Sequence, residues 1–276
     1  MADTNKENLV EKLTNIADGF RTSRSLTETL SLDDMAVLAA VPIGEGTDNK
    51  LAQLVDGSLT EITAEDLQGA TKLRNQAFAA APITSVILPN SVTEIGVQAF
   101  GDCSSLISVI ISNSVTTIKR GAFHGCKVLI GITIPNSVTS LDTGIFQDCI
   151  GLISAVLPNS ITTIPSSTFY NCTSFVDVII PNSITTIKSY AFYKCSNLNP
   201  TIPASVTSIE SDALKCGSNT TKATFTFLGT TPPTIAVSTF LAQWIDKIIV
   251  PAGSGEAYKT ATNWANFADY IEEAAE

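Results

Sequence analysis

The sequence is poor in the residues that most chemistry needs. It has 276 residues with one histidine, two tryptophans and two methionines. The lone histidine, His124, has no acid or nucleophile repeated beside it, and reads as a solvated surface residue. No Gly-rich phosphate loop, H-E-x-x-H or G-x-S-x-G occurs, and carboxylates do not pair at a fixed spacing. Catalysis needs convergent groups in a cleft, so the chain is not expected to be an enzyme or to hold a cofactor or metal. Charge is scarce too: 15% of residues are charged, and 16 basic residues face 26 acidic ones, a net −10. Phosphate binding needs clustered Lys and Arg, so nucleic acid is excluded as a partner, as is an anionic membrane surface. No apolar run approaches the roughly 20 residues that span a bilayer, so membrane insertion is excluded. The start, MADTNKENLVEKL, lacks the basic n-region and apolar h-region of a signal peptide, and export by that route is not expected.

What is present is repetition. Residues 88–110 read L-P-N-S-V-T-E-I-G-V-Q-A-F-G-D-C-S-S-L-I-S-V-I, and the pattern restarts at Ile111, Ile134, Leu157, Ile180 and Ile202. Cys103, Cys126, Cys149, Cys172 and Cys195 are 23 residues apart, with Cys216 following after 21. Phe100, Phe123, Phe146, Phe169 and Phe192 keep the same beat, and Leu214 closes it. A fixed period of this length is the signature of a solenoid. Stacked repeats put the cysteine side chains in parallel, which is poor disulfide geometry. A buried ladder of free thiols acting as apolar fillers is the expected state; disulfides are the alternative.

The repeats align with one another and sort their own columns. Serine recurs at 91, 114, 137, 160, 183 and 205, and threonine at 93, 116, 139, 162, 185 and 207. Asn90, Asn113, Asn136, Asn159 and Asn182 form a third polar column. Small polar residues in register can bond backbone groups at turns and across repeats. The Ala-Phe and Cys columns, with Leu106, Leu129, Leu152, Phe175 and Leu198, must fill the interior.

Alternation along the strand segment turns two columns outward. One reads Ser85, Ser108, Gly131, Ser154 and Asp177. The other reads Ile87, Ile110, Thr133, Val156 and Ile179. An exposed apolar stripe can mark a contact surface; it can also be covered by the N-terminal segment or a second subunit of a homo-oligomer, or reflect plain β-propensity. Tyr170, Tyr190 and Tyr193 fall in variable columns, and tyrosine is a good contact residue. These two sets are the candidate binding face.

The ends differ from the array. Residues 7–20 have a helical period, with Leu9, Leu13, Ile16, Ala17 and Phe20 on one face. Met35, Leu38 and Ala39 form a second apolar stripe. Residues 1–58 are too small a unit for a core of their own. They read either as a fraying tail or as a docking segment, with Leu9, Leu13, Ile16, Phe20, Met35 and Leu38 as its candidate contacts. Residues 59–86 look like a degenerate first repeat, in which Thr63 opens a helical turn. Residues 222–276 look like a C-terminal cap, with a strand at 245–250 and a helix capped by Ser254 that carries Tyr258, Trp264 and Phe267. Both Trp244 and Trp264 are expected to plug the open end.

The repeat Ile-Pro-Asn-Ser-Val-Thr-x-Ile-x-x-x-Ala-Phe-x-x-Cys-x-x-Leu-x-x-Val resembles the BspA-type leucine-rich repeat, over about residues 60–216. The resemblance implies a leucine-rich-repeat solenoid, α/β and β-rich, with a small helical N-terminal segment (1–58), repeats over 59–221 and an α+β cap (222–276). Members are typically bacterial surface or secreted proteins involved in adhesion, and related arrays occur in bacteriophage structural proteins. Residues 13–40, LTNIADGFRTSRSLTETLSLDDMAVLAA, resemble a short segment that heads many phage tail and fibre proteins; Ile16-Ala17-Asp18, Arg21, Leu30, Asp33-Asp34 and Met35 carry the likeness. It implies a virion-associated binding protein, held to other virion proteins by residues 1–58, whose repeats recognise a host-surface protein or glycan. An architectural virion part and a microbial surface adhesin are the alternatives.

Overall fold

The computed structural model describes residues 60–67 and 69–275. The expectations placed on residues 1–58 lie outside the described residues. The first repeat supplies β1 (Glu61–Ile62) and β2 (Lys72–Leu73). In its turn Thr63 and Asp66 bond reciprocally, Asp66 N–H to Thr63 Oγ1 and Thr63 N–H to Asp66 Oδ2. The next repeats add β3 (Ser85–Ile87) and β4 (Glu94–Ile95), β5 (Ser108–Ile110) and β6 (Thr117–Ile118), β7 (Gly131–Thr133) and β8 (Ser140–Leu141). Then come β9 (Ser154–Val156) and β10 (Thr163–Ile164), β11 (Asp177–Ile179) and β12 (Thr186–Ile187), and β13 (Thr201–Ile202) and β14 (Ser208–Ile209).

Each repeat therefore makes two short strands and a run of turns, and every strand pairs in parallel with its equivalent in a neighbouring repeat. The odd strands form one ladder, β1-β3-β5 and then β7-β9-β11; the even strands form another, β2-β4-β6-β8 and then β10-β12-β14. Register is set by the repeat itself: Ile87 lies opposite Ile110, and Ile95 opposite Ile118. The result is a β-solenoid whose repeats join their strands by turns.

The interior is a stack of identical side chains. Rings of Phe78, Phe100, Phe123, Phe146, Phe169 and Phe192 lie 5.3–5.6 Å apart, nearly parallel. Such offset stacking adds to the energy of burial itself. The turn around each ring sends its N–H groups to the following repeat, as Phe123 N–H does to Ile145 O at 3.0 Å. That geometry needs a left-handed residue two places before each phenylalanine. Gly121 and Gly144 take it at φ +60° and +63°, and Tyr190 takes it at +61°, where a side chain is strained.

All six cysteines are buried and free. They are more than fillers. Each thiol donates to a phenylalanine carbonyl of the preceding repeat, as Cys149 does to Phe123 O at 3.1 Å and Cys172 to Phe146 O at 3.1 Å. Burial pushes their pKa values up. The threonine column works as the alignment suggests: Thr116 Oγ1 donates to Thr93 O, and Thr185 Oγ1 to Thr162 O. The serine column is less uniform. Ser137 and Ser160 donate to carbonyls one repeat back, whereas the Ser91, Ser183 and Ser205 hydroxyls are buried without a partner.

At the C-terminal end β15 (Ala223–Phe227) and β16 (Thr234–Ile235) continue the two ladders. β17 (Ile245–Val250) and β18 (Ile271–Glu273) extend the first. The sequence suggests one helix after Ser254. The structure has two pieces, α1 (Gly255–Thr260) and a 3-10 helix at Trp264–Tyr270, separated at Asn263, which is left-handed. Ser254 makes no side-chain cap; its hydroxyl donates to Pro251 O instead. Trp264 plugs the end as expected: it is fully buried against Phe227 and Tyr258, and its Nε1 donates to Pro233 O at 2.8 Å. Trp244 does not. It stays partly exposed, with Nε1 donating to Asn219 Oδ1.

Candidate functional site

The odd ladder buries one residue of each strand and turns its neighbours to solvent. Val86, Val109, Ile132, Ala155 and Val178 point into the core. Ile87, Ile110, Thr133, Val156 and Ile179 are exposed, Ile110 and Ile179 by 59% and 60%. In the small-residue column Ser108 and Asp177 are exposed, and Gly131 and Ser154 partly so. The pairing register stacks these columns: Thr133 lies opposite Val156, and Val156 opposite Ile179.

A second apolar row was missed by the alternation argument. Ile107, Ile130, Ile153 and Val176 are also exposed, each beside the small column. The signal lies in the spacing. Leu106 and Val109 both point inward with two residues between them, so both intervening residues must face out. The small column is therefore a trough between two rows of large aliphatic side chains.

Beside the Ile/Val row runs a groove of about 940 Å³, from Val109 to Asn182. It is lined by the exposed Ile110, Thr133, Val156 and Ile179 together with Asn113, Asn136, Asn159 and Asn182. Two of these asparagines are tied together: Asn159 N–H donates to Asn136 Oδ1 at 2.8 Å. The asparagine column, read from sequence as a turn element, also forms the polar rim of the groove. The groove crosses the seam where β5 and β7 are not paired. An apolar row with an amide rim can take up apolar surface while offering donors and acceptors to its edge.

The three late tyrosines are brought together on the turns. Tyr170 and Tyr193 stack at 5.1 Å, and Tyr190 meets Tyr193 edge-on at 5.6 Å. Tyr190 is the most open of them, 41% exposed, and Lys194 Nζ lies 5.6 Å from the Tyr193 ring. His124 is not freely solvated. It is half-buried, with Nδ1 3.9 Å from Asp148 Oδ2. Among the described residues no cluster of three or more His, Cys, Asp or Glu could hold a metal ion, and no helix is long and apolar enough to cross a membrane.

Comparison with known proteins places this geometry. A family model described as a BspA type leucine rich repeat region, in six copies, matches residues 57–153 and 144–261. A leucine-rich-repeat protein of T. pallidum superposes with a TM-score of 0.50 at 26% identity, covering 55% of this chain and 74% of its own. A leucine-rich cell surface protein of Faecalibacterium prausnitzii gives a TM-score of 0.49 at 20% identity, over 79% of this chain and 88% of that one. No curated protein matches the chain.

Proposed function

The chain belongs to the BspA-type leucine-rich-repeat family, and from that premise we propose that it is a non-enzymatic adhesin that binds a protein or neutral glycan of another cell's surface through its strand face. The observation that carries this is the exposed row Ile87, Ile110, Thr133, Val156 and Ile179, lying along a groove rimmed by asparagines. Monomeric proteins rarely leave contiguous apolar patches of this kind open without a use. The acidic balance of the chain suits a protein or neutral glycan better than an anionic polymer. The tyrosine cluster at Tyr170, Tyr190 and Tyr193 is the candidate second contact. The virion setting rests on the resemblance of residues 13–40 alone. Neither the family match nor any described residue supports it, so the microbial surface setting is the better supported of the two.

The test is binding of the full-length protein to intact cells, followed by cytometry. Thr133→Lys with Val156→Asp should lower binding at least tenfold with no change in the thermal midpoint. Binding that survives this pair, and is lost with Tyr170, Tyr190 and Tyr193 all changed to Ala, moves the site to the turns. Binding unchanged by both sets sinks the proposal.

A further inference from the structure

We infer that the tyrosine cluster on the turns, with Asp148 and Asn171 beside it, is a subsite for a neutral pyranose sugar. For its glycan target it rests on the function proposed above, but it makes no use of the strand face.

One tyrosine stands where the repeat favours a small or polar residue. The position two places before each core ring is left-handed: Gln98, Gly121, Gly144, Ser167, Tyr190 and Asp212 hold it at φ +50° to +63°. Glycine and aspartate suit that region, whereas a bulky aromatic residue there is an outlier. Backbone strain of this kind gathers at ligand-binding positions. Core packing does not explain it, because Tyr190 is 41% exposed. The ring meets Tyr193 edge-on at 5.6 Å and lies 6.4 Å from Tyr170. With Tyr170 and Tyr193 stacked at 5.1 Å, three phenol rings form one fixed patch on the turns.

Beside the rings stands an oriented acid. Asn171 Nδ2 donates to Asp148 Oδ1 at 2.7 Å, and Gln147 Nε2 donates to Asp148 Oδ2 at 3.2 Å. Backbone bonds lock this group to the rings: Asp148 N–H donates to Tyr170 O at 2.8 Å, and Asn171 N–H to Tyr193 O at 2.7 Å. A carboxylate has about four acceptor sites, and the two amides take two of them. The Asp148 side chain is 32% exposed, which opens it to donors from solvent. In the repeat of Tyr193, Lys194 Nζ lies 5.6 Å from that ring. One anion and one cation therefore flank the patch.

This combination selects a sugar. An aromatic face carries partial negative charge, and the axial C–H bonds on the flat side of a pyranose carry partial positive charge. The hydroxyls lie round the rim of the sugar ring, where a neighbouring pair can donate to both oxygens of one carboxylate. Such charge-assisted bonds are about twice as strong as neutral ones. Asp148 repels an acidic sugar and Lys194 a cationic one, so the ligand is neutral. The patch lies on the outer turns and covers one side of a sugar ring, which places the affinity in the millimolar range.

The test labels the full-length protein with 3-fluorotyrosine and titrates it through the millimolar range with cellotetraose and, separately, with β-1,4-galactotetraose. The chain has five tyrosines, and Tyr258 and Tyr270 in the cap are internal controls. The fluorine signals of Tyr170, Tyr190 and Tyr193 should shift saturably with at least one sugar, while the two controls stay still. Tyr190→Gly supplies the residue found at Gly121 and Gly144. It should weaken binding at least tenfold without lowering the thermal midpoint. Asp148→Asn, which keeps a residue suited to its φ of +60°, should weaken binding at least fivefold. Thr133→Lys with Val156→Asp should leave sugar binding unchanged, so failure of the strand face and failure of this subsite are read separately. No shift with either sugar overturns the inference, as does an equal shift at all five tyrosines. Binding that survives Tyr190→Gly overturns it too. A neutral proline-rich peptide that moves the three signals when neither sugar does makes the patch a protein contact, and equally overturns it.

Discussion

The even ladder has one break, and a proline explains it. In this column Lys119, Asp142, Lys188 and Glu210 each donate a backbone N–H to the isoleucine carbonyl one repeat back, at 2.9–3.0 Å. The equivalent residue after β10 is Pro165, which has no N–H to give to Leu141 O. β8 and β10 are accordingly unpaired. A groove of about 540 Å³ opens there, lined by Thr139, Leu141, Thr162 and Pro165. Pro165→Ala restores the donor. If the ladder closes, it regains the 165-to-141 bond and those between Thr162 or Thr163 and Thr139 O, which are made in the neighbouring repeats. Each partly exposed bond contributes about 0.5 kcal/mol or more net, so about 1.5 kcal/mol in all. Losing the rigid proline from the unfolded chain costs about 0.4–1 kcal/mol. The balance is a gain of about 0.5–1 kcal/mol, a rise of roughly 2 °C in the thermal midpoint for a chain of this size. Denaturant unfolding measures the gain, and amide exchange at Thr162 and Thr163 reports closure directly. A lowered midpoint, with those two amides exchanging as fast as before, would refute proline as the cause of the break.

Other consequences follow from the same stacks. Phe146→Ala removes the middle of the ring ladder and should cost about 3–5 kcal/mol, read as a shift in the urea midpoint. The six thiols should not react with a disulfide reagent in the native protein, and should all react once it is unfolded. Their pKa values are raised in the folded state, at Cys126 chiefly by its hydrogen bond with the Cys149 thiol and at the others by burial. The unfolded thiols ionise near 8.5, so stability is fully present below that pH and falls as pH rises above it. Tyr258, raised to about 12 by burial, continues the loss between pH 10 and 12; urea unfolding at pH 7.5 and 10 checks the direction. Trp264→Phe strands the Pro233 carbonyl and should cost about 1–3 kcal/mol, whereas Trp244→Phe should change stability by under about 0.5 kcal/mol.

The repeat made the solenoid legible because one local pattern, copied in register, has only one way to bury its Phe, Cys and Leu columns. The same copying predicted which side of each strand faces out, since burial alternates with the pleat. It did not predict the second row, Ile107 to Val176, because the chain leaves strict alternation between Leu106 and Val109. Nor did it give the thiols their donor role. Their partners, the phenylalanine carbonyls, lie 24–26 residues away, and a carbonyl has no identity in a sequence. The cap was legible as a cap but not in its parts: Asn263 turns left-handed and divides the helix, and Trp244 lies beside Asn219 rather than over the open end.

By itself, then, the sequence determined the period, the parallel stacking and the interior columns. Each of these depends on residue type and spacing within one repeat. Only the tertiary structure decided that Asn113, Asn136, Asn159 and Asn182 line a groove with the isoleucine row. It alone gathered Tyr170, Tyr190 and Tyr193 into one cluster, and turned Pro165 from a single substitution into a break in a sheet. Those properties belong to neighbouring repeats in contact, and contact depends on how far apart their backbones settle as well as on which residues they carry.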